Sequence, residues 1–121
     1  GVRAALPDTQ IVAVCGDGSF QMSLMELATM RQWNLPIKFD IMRNGYLGLV
    51  REYQPHTYHD RYSGVSLDGS PDFEKIADAY GLDYFHLEHN DEMEQRIDEF
   101  LACEHAAMMV CEVYSFDLVK E

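Results

Sequence analysis

The sequence predicts an α/β domain with three layers, in which helices cover both faces of a mostly parallel sheet. Strand-like and helical segments alternate along the chain, and each helical segment carries one apolar face that a sheet would bury. The first strand-like segment is a short β-branched apolar run, typical of a strand buried on both faces of a parallel sheet. With 121 residues, the chain has room for one ordinary domain, 1–121.

The first residues, GVRAALPD, place apolar side chains at helical spacing before a proline and an aspartate end the pattern. This pattern predicts the last turns of a helix. The sequence also begins without a methionine. We therefore expect the chain to be a piece of a longer polypeptide.

The first half of the chain contains two predicted strands and two predicted helices. Residues 10–15, QIVAVC, form the first strand, and residues 22–33 form a helix that the NLP sequence ends. Residues 37–42, IKFDIM, alternate between apolar and polar side chains and form the second strand. Residues 46–54 are predicted to form a short helix.

The second half begins with a polar, glycine-containing loop over residues 55–70, a length at which loops tend to be functional or mobile. Ser70 as N-cap and Pro71 in the first turn predict the start of a helix, and Gly81 predicts its end. The apolar face of this helix consists of Phe73, Ile76, Ala77 and Tyr80.

The last elements are a strand, a helix and a strand. Residues 83–88, DYFHLE, form the third strand, and residues 106–114, AAMMVCEVY, form the fourth. Between them, Asp91 and Glu94 resemble a capping box at the start of a helix.

Composition excludes some classes of function. The net charge is −12 with nine Lys and Arg residues, which argues against nucleic-acid binding, since phosphate contacts need cationic side chains. Cys15, Cys103 and Cys111 form no CxxC pair and are typical of small core residues in a reduced protein. No apolar run approaches the roughly 20 residues of a membrane span, and no signal peptide is visible. We expect a cytoplasmic protein without nucleic-acid or membrane partners.

Polar residues follow the first two predicted strands where each strand ends. Gly16, Asp17, Gly18 and Ser19 follow the first strand, and Asn44 lies just beyond the second. Ligands of open parallel sheets bind outside the carboxyl ends of the strands, and neighbouring strands lie about 5 Å apart.

Asp17 therefore has two interpretations from the residues alone. The free amides at the start of the next helix favour phosphate, which would repel Asp17 unless a cation lay between them. Asp17 and the side-chain oxygen of Asn44 suit Mg²⁺ or Ca²⁺. The alternative is that Asp17 only caps the helix and the glycines only turn the chain.

A longer match distinguishes these interpretations. The stretch GDGSFQMSLMELATMRQWNLPIKFDIMRNGYLGLVREYQ, residues 16–54, closely resembles the cofactor motif of thiamine diphosphate-dependent enzymes of the acetolactate synthase type. The segment RYSGVSLDGSPDFEKIADAYG, residues 61–81, resembles the stretch that follows in these enzymes. The resemblance covers nearly the whole chain and implies a C-terminal, diphosphate-binding domain with the thiamine diphosphate-binding fold.

The resemblance also implies a set of ligands. Asp17, the side-chain oxygen of Asn44 and the backbone carbonyl of Tyr46 would bind Mg²⁺. Backbone groups of Gly18 and Ser19, next to Gly16, would hold the diphosphate of thiamine diphosphate. The turn through Leu47, Gly48 and Leu49 would line the cofactor channel.

Two positions depart from the family pattern. Arg43 stands in place of the first asparagine of the usual pair, where its cation could pair with an acidic neighbour. Tyr53 stands where acetolactate synthases usually have a tryptophan that helps to bind the second 2-oxo acid. The arginine changes the local hydrogen bonding next to the site, and the tyrosine leaves the acceptor substrate open.

The resemblance implies that the parent enzyme, active in branched-chain amino acid biosynthesis, decarboxylates a 2-oxo acid such as pyruvate and transfers the two-carbon unit to a second 2-oxo acid. The glutamate that assists cofactor deprotonation belongs to a pyrimidine-binding domain of the same or a partner subunit, within a homo-oligomer. We expect Glu26 to be structural and the fragment alone to be inactive. The alternatives are a glyoxylate carboligase, a pyruvate oxidase, a 2-oxo acid decarboxylase, or a non-catalytic module with this fold.

Overall fold

A computed structural model of the chain describes residues 1–115, and residues 116–121 of the predicted domain lie outside this range. Four strands occur in the described part: β1 (Ile11–Gly16), β2 (Ile37–Arg43), β3 (Asp83–Leu87) and β4 (Ala107–Glu112). The helices there are α1 (Val2–Ala5), α2 (Asp17–Met22), α3 (Glu26–Gln32), α4 (Gly48–Tyr58), α5 (Phe73–Tyr80) and α6 (Met93–Ala102), with a 3₁₀ helix at Asn90–Glu92.

The four strands form one sheet in the order β1-β2-β4-β3, and every neighbouring pair is parallel. The predicted parallel sheet is therefore confirmed. In the β1–β2 register Gly16 lies beside Met42, and in the β2–β4 register Arg43 lies beside Glu112. The carboxyl ends of β1, β2 and β4 consequently meet at one edge.

Two hydrophobic clusters lie on opposite faces of this sheet, as the alternating side chains of β4 demonstrate. Met108 and Val110 pack into one cluster, and Ala107, Met109 and Cys111 pack into the other. The first cluster contains residues of α2, α3 and α5: Phe20, Leu27, Met30, Phe73 and Ala77. The second contains Phe100 of α6. The three-layer α/β/α architecture is thus confirmed.

The prediction that the first strand is buried on both faces is wrong for the described domain. Val12 is 39% exposed and Val14 is 63% exposed. The reason is that β1 lies at one edge of the sheet, whereas α6, the helix that covers this face, packs on β3 at the opposite edge. The strand that is buried on both faces is β4, all but the last of whose residues are buried.

The helix predicted over residues 22–33 starts later, at Glu26 as α3, and a separate helix that was not predicted, α2, runs from Asp17 to Met22. Between them the backbone forms tighter bonds to the third preceding residue, from the amide of Glu26 to the carbonyl of Ser23 at 3.0 Å and from Leu27 to Leu24 at 3.2 Å. The interruption lets Phe20 of α2 and Leu27 of α3 reach the same core cluster.

The helix predicted over residues 46–54 begins and ends later, at Gly48 and Tyr58. Its start is delayed because the preceding residues form an isolated antiparallel bridge between Tyr46 and Ser66. The helix continues through Pro55, so the polar loop that was predicted from residue 55 begins only after Tyr58.

Two predicted caps are also corrected. The N-cap of α5 is Asp72 rather than Ser70, and its side chain accepts the amide of Lys75 at 3.2 Å. The N-cap of α6 is Glu92, without a side-chain capping bond, because the 3₁₀ helix occupies the predicted capping-box position. The predicted end of α5 is confirmed, since Gly81 adopts a left-handed conformation with φ of 70°.

None of the helices within residues 1–115 combines the length and apolar character that crossing a lipid bilayer requires.

Candidate functional site

The start of α2, directly after β1, and the loop that follows β2 meet at the carboxyl edge of the sheet. The Asp17 carboxylate joins them: its Oδ1 accepts the amide of Gly18 at 3.0 Å, and its Oδ2 accepts the amide of Gly45 at 2.9 Å. The register that pairs Gly16 with Met42 places these groups within reach of each other. The expected proximity of the two strand ends is confirmed.

The position of Asp17 does not match a simple helix cap. Gly16 occupies the N-cap of α2, and Asp17 is the first helical residue. Its side chain is completely buried, yet no Lys, Arg or His among residues 1–115 forms an ion pair with it. A buried carboxylate with only neutral amide partners fits a site for a cation, because charges taken out of water need a partner.

The other two predicted metal ligands lie in the loop after β2. Asn44 Oδ1 accepts the amide of Tyr46 at 3.0 Å, and the Asn44 carbonyl accepts the Ser115 hydroxyl at 3.0 Å. The bridge to Ser66 uses the Leu47 amide and the Gly45 carbonyl, so its hydrogen bonds do not engage the Tyr46 carbonyl. These contacts fix the loop whose Gly45 amide bonds Asp17. Metal binding by Asn44 and the Tyr46 carbonyl stays a prediction.

A cleft of about 420 Å³ opens between α2 and the chain that follows β2. Its walls contain eight of the predicted cofactor-binding residues: Gly16, Gly18, Ser19, Asn44, Tyr46, Leu47, Gly48 and Leu49. The ninth, Asp17, is completely buried and is not part of the lining. Met22, Met42 and Val50 complete the lining. Met42 and Val50 were not predicted, and the only signal for Met42 was its place near the end of the second predicted strand.

Gly18 lies close to leucine side chains of the segments after β2. A Cβ atom at Gly18 would lie 2.6 Å from Leu47 Cδ2, so the leucine side chain would have to shift, and 3.1 Å from Leu67 Cδ1, which is a tight contact. Gly16 differs, because a Cβ atom there would meet nothing within 4 Å. The close approach of Leu47 to α2 therefore depends on glycine at position 18.

The amide of Gly18 already has a partner in Asp17, so its predicted bond to phosphate would have to be shared or exchanged. The beginning of α2 is further held by Gln21, whose Nε2 donates to the Asp17 carbonyl and to the Ser70 hydroxyl, both at 3.2 Å. Phosphate binding by the amides of Gly18 and Ser19 stays a prediction.

Arg43 is turned away from the cleft. Its guanidinium forms an ion pair with Glu112 at 3.1 Å, and the same Glu112 oxygen bonds His86 Nε2 at 3.1 Å. The three side chains come from the carboxyl ends of β2, β4 and β3. The residue that departs from the family pattern thus has an acidic partner on the neighbouring strand and is not one of the residues that line the cleft.

Glu26 and Tyr53, the remaining residues considered, each contact a neighbouring side chain on their own helix. Glu26 is exposed at the start of α3 and accepts the Thr29 hydroxyl at 3.2 Å, as a structural residue would. Tyr53 is 58% exposed and packs edge to face on Tyr58.

Comparisons with known proteins agree with this geometry. A family model described as "Thiamine pyrophosphate enzyme, C-terminal TPP binding domain" matches residues 1–113. An acetolactate synthase of Arthrospira platensis is 38% identical over 114 residues, covering 93% of this chain and 19% of the relative. The large subunit of acetolactate synthase isozyme 3 of Escherichia coli (strain K12) is 40% identical over 101 residues, covering 84% of this chain and 18% of the relative.

The chain spans less than a fifth of the length of these two relatives. The resemblance to acetolactate synthases that the motifs indicated is confirmed by these identities. With the family match over almost the whole chain and the parallel α/β sheet, they establish that the chain belongs to the family of C-terminal TPP-binding domains of thiamine pyrophosphate enzymes.

Proposed function

We propose that this domain binds the diphosphate of thiamine diphosphate through Mg²⁺ in the cleft between α2 and the chain that follows β2. The observation that carries the proposal is the buried Asp17 carboxylate, which joins the start of α2 to the loop after β2. In the described chain it has only backbone amides as its hydrogen-bond partners. A divalent cation would supply the missing positive charge and would let an anionic diphosphate approach this carboxylate.

Three groups of the chain would hold the ion: the Asp17 carboxylate, Asn44 Oδ1 and the Tyr46 carbonyl. Each carboxylate or amide oxygen has a second lone-pair site, so the amide bonds to Asp17 and Asn44 are compatible with a metal bond. When bound, Mg²⁺ would neutralise the diphosphate charge. The start of α2 and the loop after β2 would position the diphosphate, because the bond between Asp17 and Gly45 holds these two segments together.

The apolar part of the cleft would surround the cofactor and exclude water. Leu47 immediately precedes α4, Leu49 lies in the first turn of α4, and Met22 lies at the end of α2. Leu49 is 80% exposed and Met22 is 71% exposed. Such exposure of large apolar side chains beside a cleft suits contact with a ligand and with a further domain.

We further propose that the parent protein is an acetolactate synthase-like enzyme of the cytoplasm. Two relatives named acetolactate synthase support this, together with the resemblance of residues 16–54 to the cofactor motif of these enzymes. The parent would decarboxylate pyruvate or a similar 2-oxo acid and transfer the two-carbon unit to a second one. A pyrimidine-binding domain of the same or a partner subunit would supply the activating glutamate, within a homo-oligomer.

Calorimetric titration of the chain with thiamine diphosphate tests the cofactor site. We expect binding heat in the presence of Mg²⁺ and its loss when a chelator removes the ion. Titration with thiamine, which lacks the diphosphate, is the matched ligand control and should give no Mg²⁺-dependent heat. Binding of thiamine diphosphate that is equally strong with and without the chelator would contradict the proposal.

A further inference from the structure

We propose that Asp83, Cys103 and His105 form a binding site for a borderline divalent metal ion such as Zn²⁺. Asp83 is the first residue of β3, Cys103 follows the end of α6, and His105 lies two residues before β4 begins. These positions are at the amino-terminal edge of the sheet, whereas the cofactor cleft lies at the carboxyl edge. The site is therefore separate from the one that binds the cofactor.

The geometry of the three side chains carries this proposal. Cys103 Sγ lies 3.1 Å from Asp83 Oδ2, and His105 Nδ1 lies 3.3 Å from the same oxygen. One ligand atom from each of the three residues lies within 4.8 Å of the others. In tetrahedral coordination, bonds of about 2.0 Å to oxygen or nitrogen and about 2.3 Å to sulfur separate neighbouring ligand atoms by about 3.4 Å. Small side-chain rotations would bring all three onto one ion.

The backbone already holds the ligands in place. The amide of Cys103 donates to the Glu99 carbonyl at 3.1 Å, and the amide of Asp83 donates to the Ala106 carbonyl at 3.0 Å. The ammonium group of the buried Lys38 donates to the Cys103 carbonyl. A metal ion would thus meet ligands on restrained chain segments, which reduces the entropy lost on binding.

The ligand types decide which metals the site favours. Sulfur, imidazole and carboxylate together suit Zn²⁺ or Co²⁺, whereas Mg²⁺ prefers oxygen ligands alone. The Cys103 thiol now donates to Asp83, so binding would replace its proton with the metal and release that proton to solvent. Three protein ligands would leave a fourth position for water.

The site is open to an ion from solution. The side chain of His105 is 83% exposed, and that of Asp83 is 52% exposed. An ion bound here would link the start of β3 to the segment between α6 and β4, and we expect it to stabilise this end of the domain.

Titration of the purified, reduced 121-residue chain with Co²⁺ tests the site, with Mg²⁺ in excess to occupy any hard-metal site. We expect a thiolate-to-cobalt charge-transfer band that added Zn²⁺ removes. Cys103→Ser should abolish this band. Loss of a residue that only hydrogen-bonds a metal ligand weakens metal binding about 10- to 100-fold. Because His105 and Asp83 would be direct ligands, His105→Ala and Asp83→Asn should weaken Co²⁺ binding by at least about tenfold.

Matched variants separate this site from other side chains and from the cofactor site. His89→Ala, which removes another exposed histidine, and Cys15→Ser, which removes another thiol, should leave the charge-transfer band unchanged. Asp17→Asn should also leave it unchanged. A folded chain without the band, or a band that persists in Cys103→Ser, would overturn the proposal. If circular dichroism shows Cys103→Ser to be unfolded, unchanged Co²⁺ affinity in the His105→Ala variant would equally overturn it.

Discussion

Asp17 Oδ2 accepts the backbone amide of Gly45 at 2.9 Å, and this bond connects the first residue of α2 to the loop after β2. The two residues are distant in sequence, yet the parallel register brings the strand ends together. Gly45 has a positive φ of 73°, a backbone conformation that glycine adopts without strain. One carboxylate thus shapes the cleft and is the candidate anchor for the cation.

Asp17→Asn is expected to remove Mg²⁺-dependent binding of thiamine diphosphate and to destabilise the fold by about 1–3 kcal/mol, the cost of leaving a buried polar group unpaired. The reason is that an asparagine has one acceptor oxygen for two amides, those of Gly18 and Gly45. Calorimetry and urea unfolding measure the two effects. Asp68→Asn, at an exposed loop position, is the control. An unchanged cofactor affinity in Asp17→Asn would return Asp17 to a purely structural role.

Gly18→Ala is expected to destabilise the domain by about 1–3 kcal/mol, the usual cost of overpacking, and to weaken cofactor binding. The added methyl group would meet Leu47 at 2.6 Å and displace the loop that lines the cleft. Gly16→Ala is the matched control, since a methyl group there has open space in the cofactor-free chain. Urea unfolding of both variants measures the difference, and equal stabilities would show that the Leu47 contact yields without cost.

Arg43→Asn is expected to leave Mg²⁺-dependent cofactor binding unchanged and to alter stability by no more than about 1 kcal/mol. The Arg43–Glu112 ion pair is partly exposed, with side-chain exposures of 42% and 34%, so solvent weakens it. Glu112 also keeps its bond to His86. Calorimetry of the variant checks this expectation, and a large gain or loss of affinity would show that position 43 contributes to the cofactor site.

Cys111 provides a prediction for alkaline pH. Burial, together with a hydrogen bond from its thiol to Asp40 at 3.3 Å, raises the pKa of Cys111 from 9.0 to about 12. Because the folded-state pKa is the higher one, the thiol's contribution to stability is complete below pH 9.0 and declines as the pH rises toward about 12.

The stability difference between the native chain and Cys111→Ala should therefore shrink in this alkaline range. The cavity that the alanine leaves adds a cost that does not depend on pH. Urea unfolding under reducing conditions at several pH values measures the difference. Two stability curves that stay parallel above pH 9.0 would contradict the assigned pKa.

Local signals predicted the elements that depend on neighbouring residues. The strands β2 and β3 follow from short alternating or aromatic runs, and the end of α5 follows from Gly81. The break between α2 and α3 was missed because the apolar periodicity continues across it, while the tighter turn is set by how Phe20 and Leu27 pack. The cap at Asp72 was missed because Ser70 offers an equally suitable capping side chain two residues earlier.

The candidate site was predictable to the extent that its residues directly follow strands. Asp17 and Asn44 both lie just beyond apolar runs, and the order of the strands brings them to one edge. The Gly45 amide and the cleft-lining Val50 were not predictable in this way. Their positions depend on how the chain after β2, including the first turn of α4, folds back onto α2.

Residues that are close together in the chain specify the alternation of strands and helices, the family and the candidate oxygen ligands at the two strand ends. These follow from local periodicity and from a motif contained within residues 16–54. Four features appear only in the folded chain: β4 lies between β2 and β3, one face of β1 stays exposed, Glu112 pairs with Arg43, and Asp83 meets Cys103 and His105. Each of these depends on which strands become neighbours, because parallel pairing joins segments that are far apart in the chain.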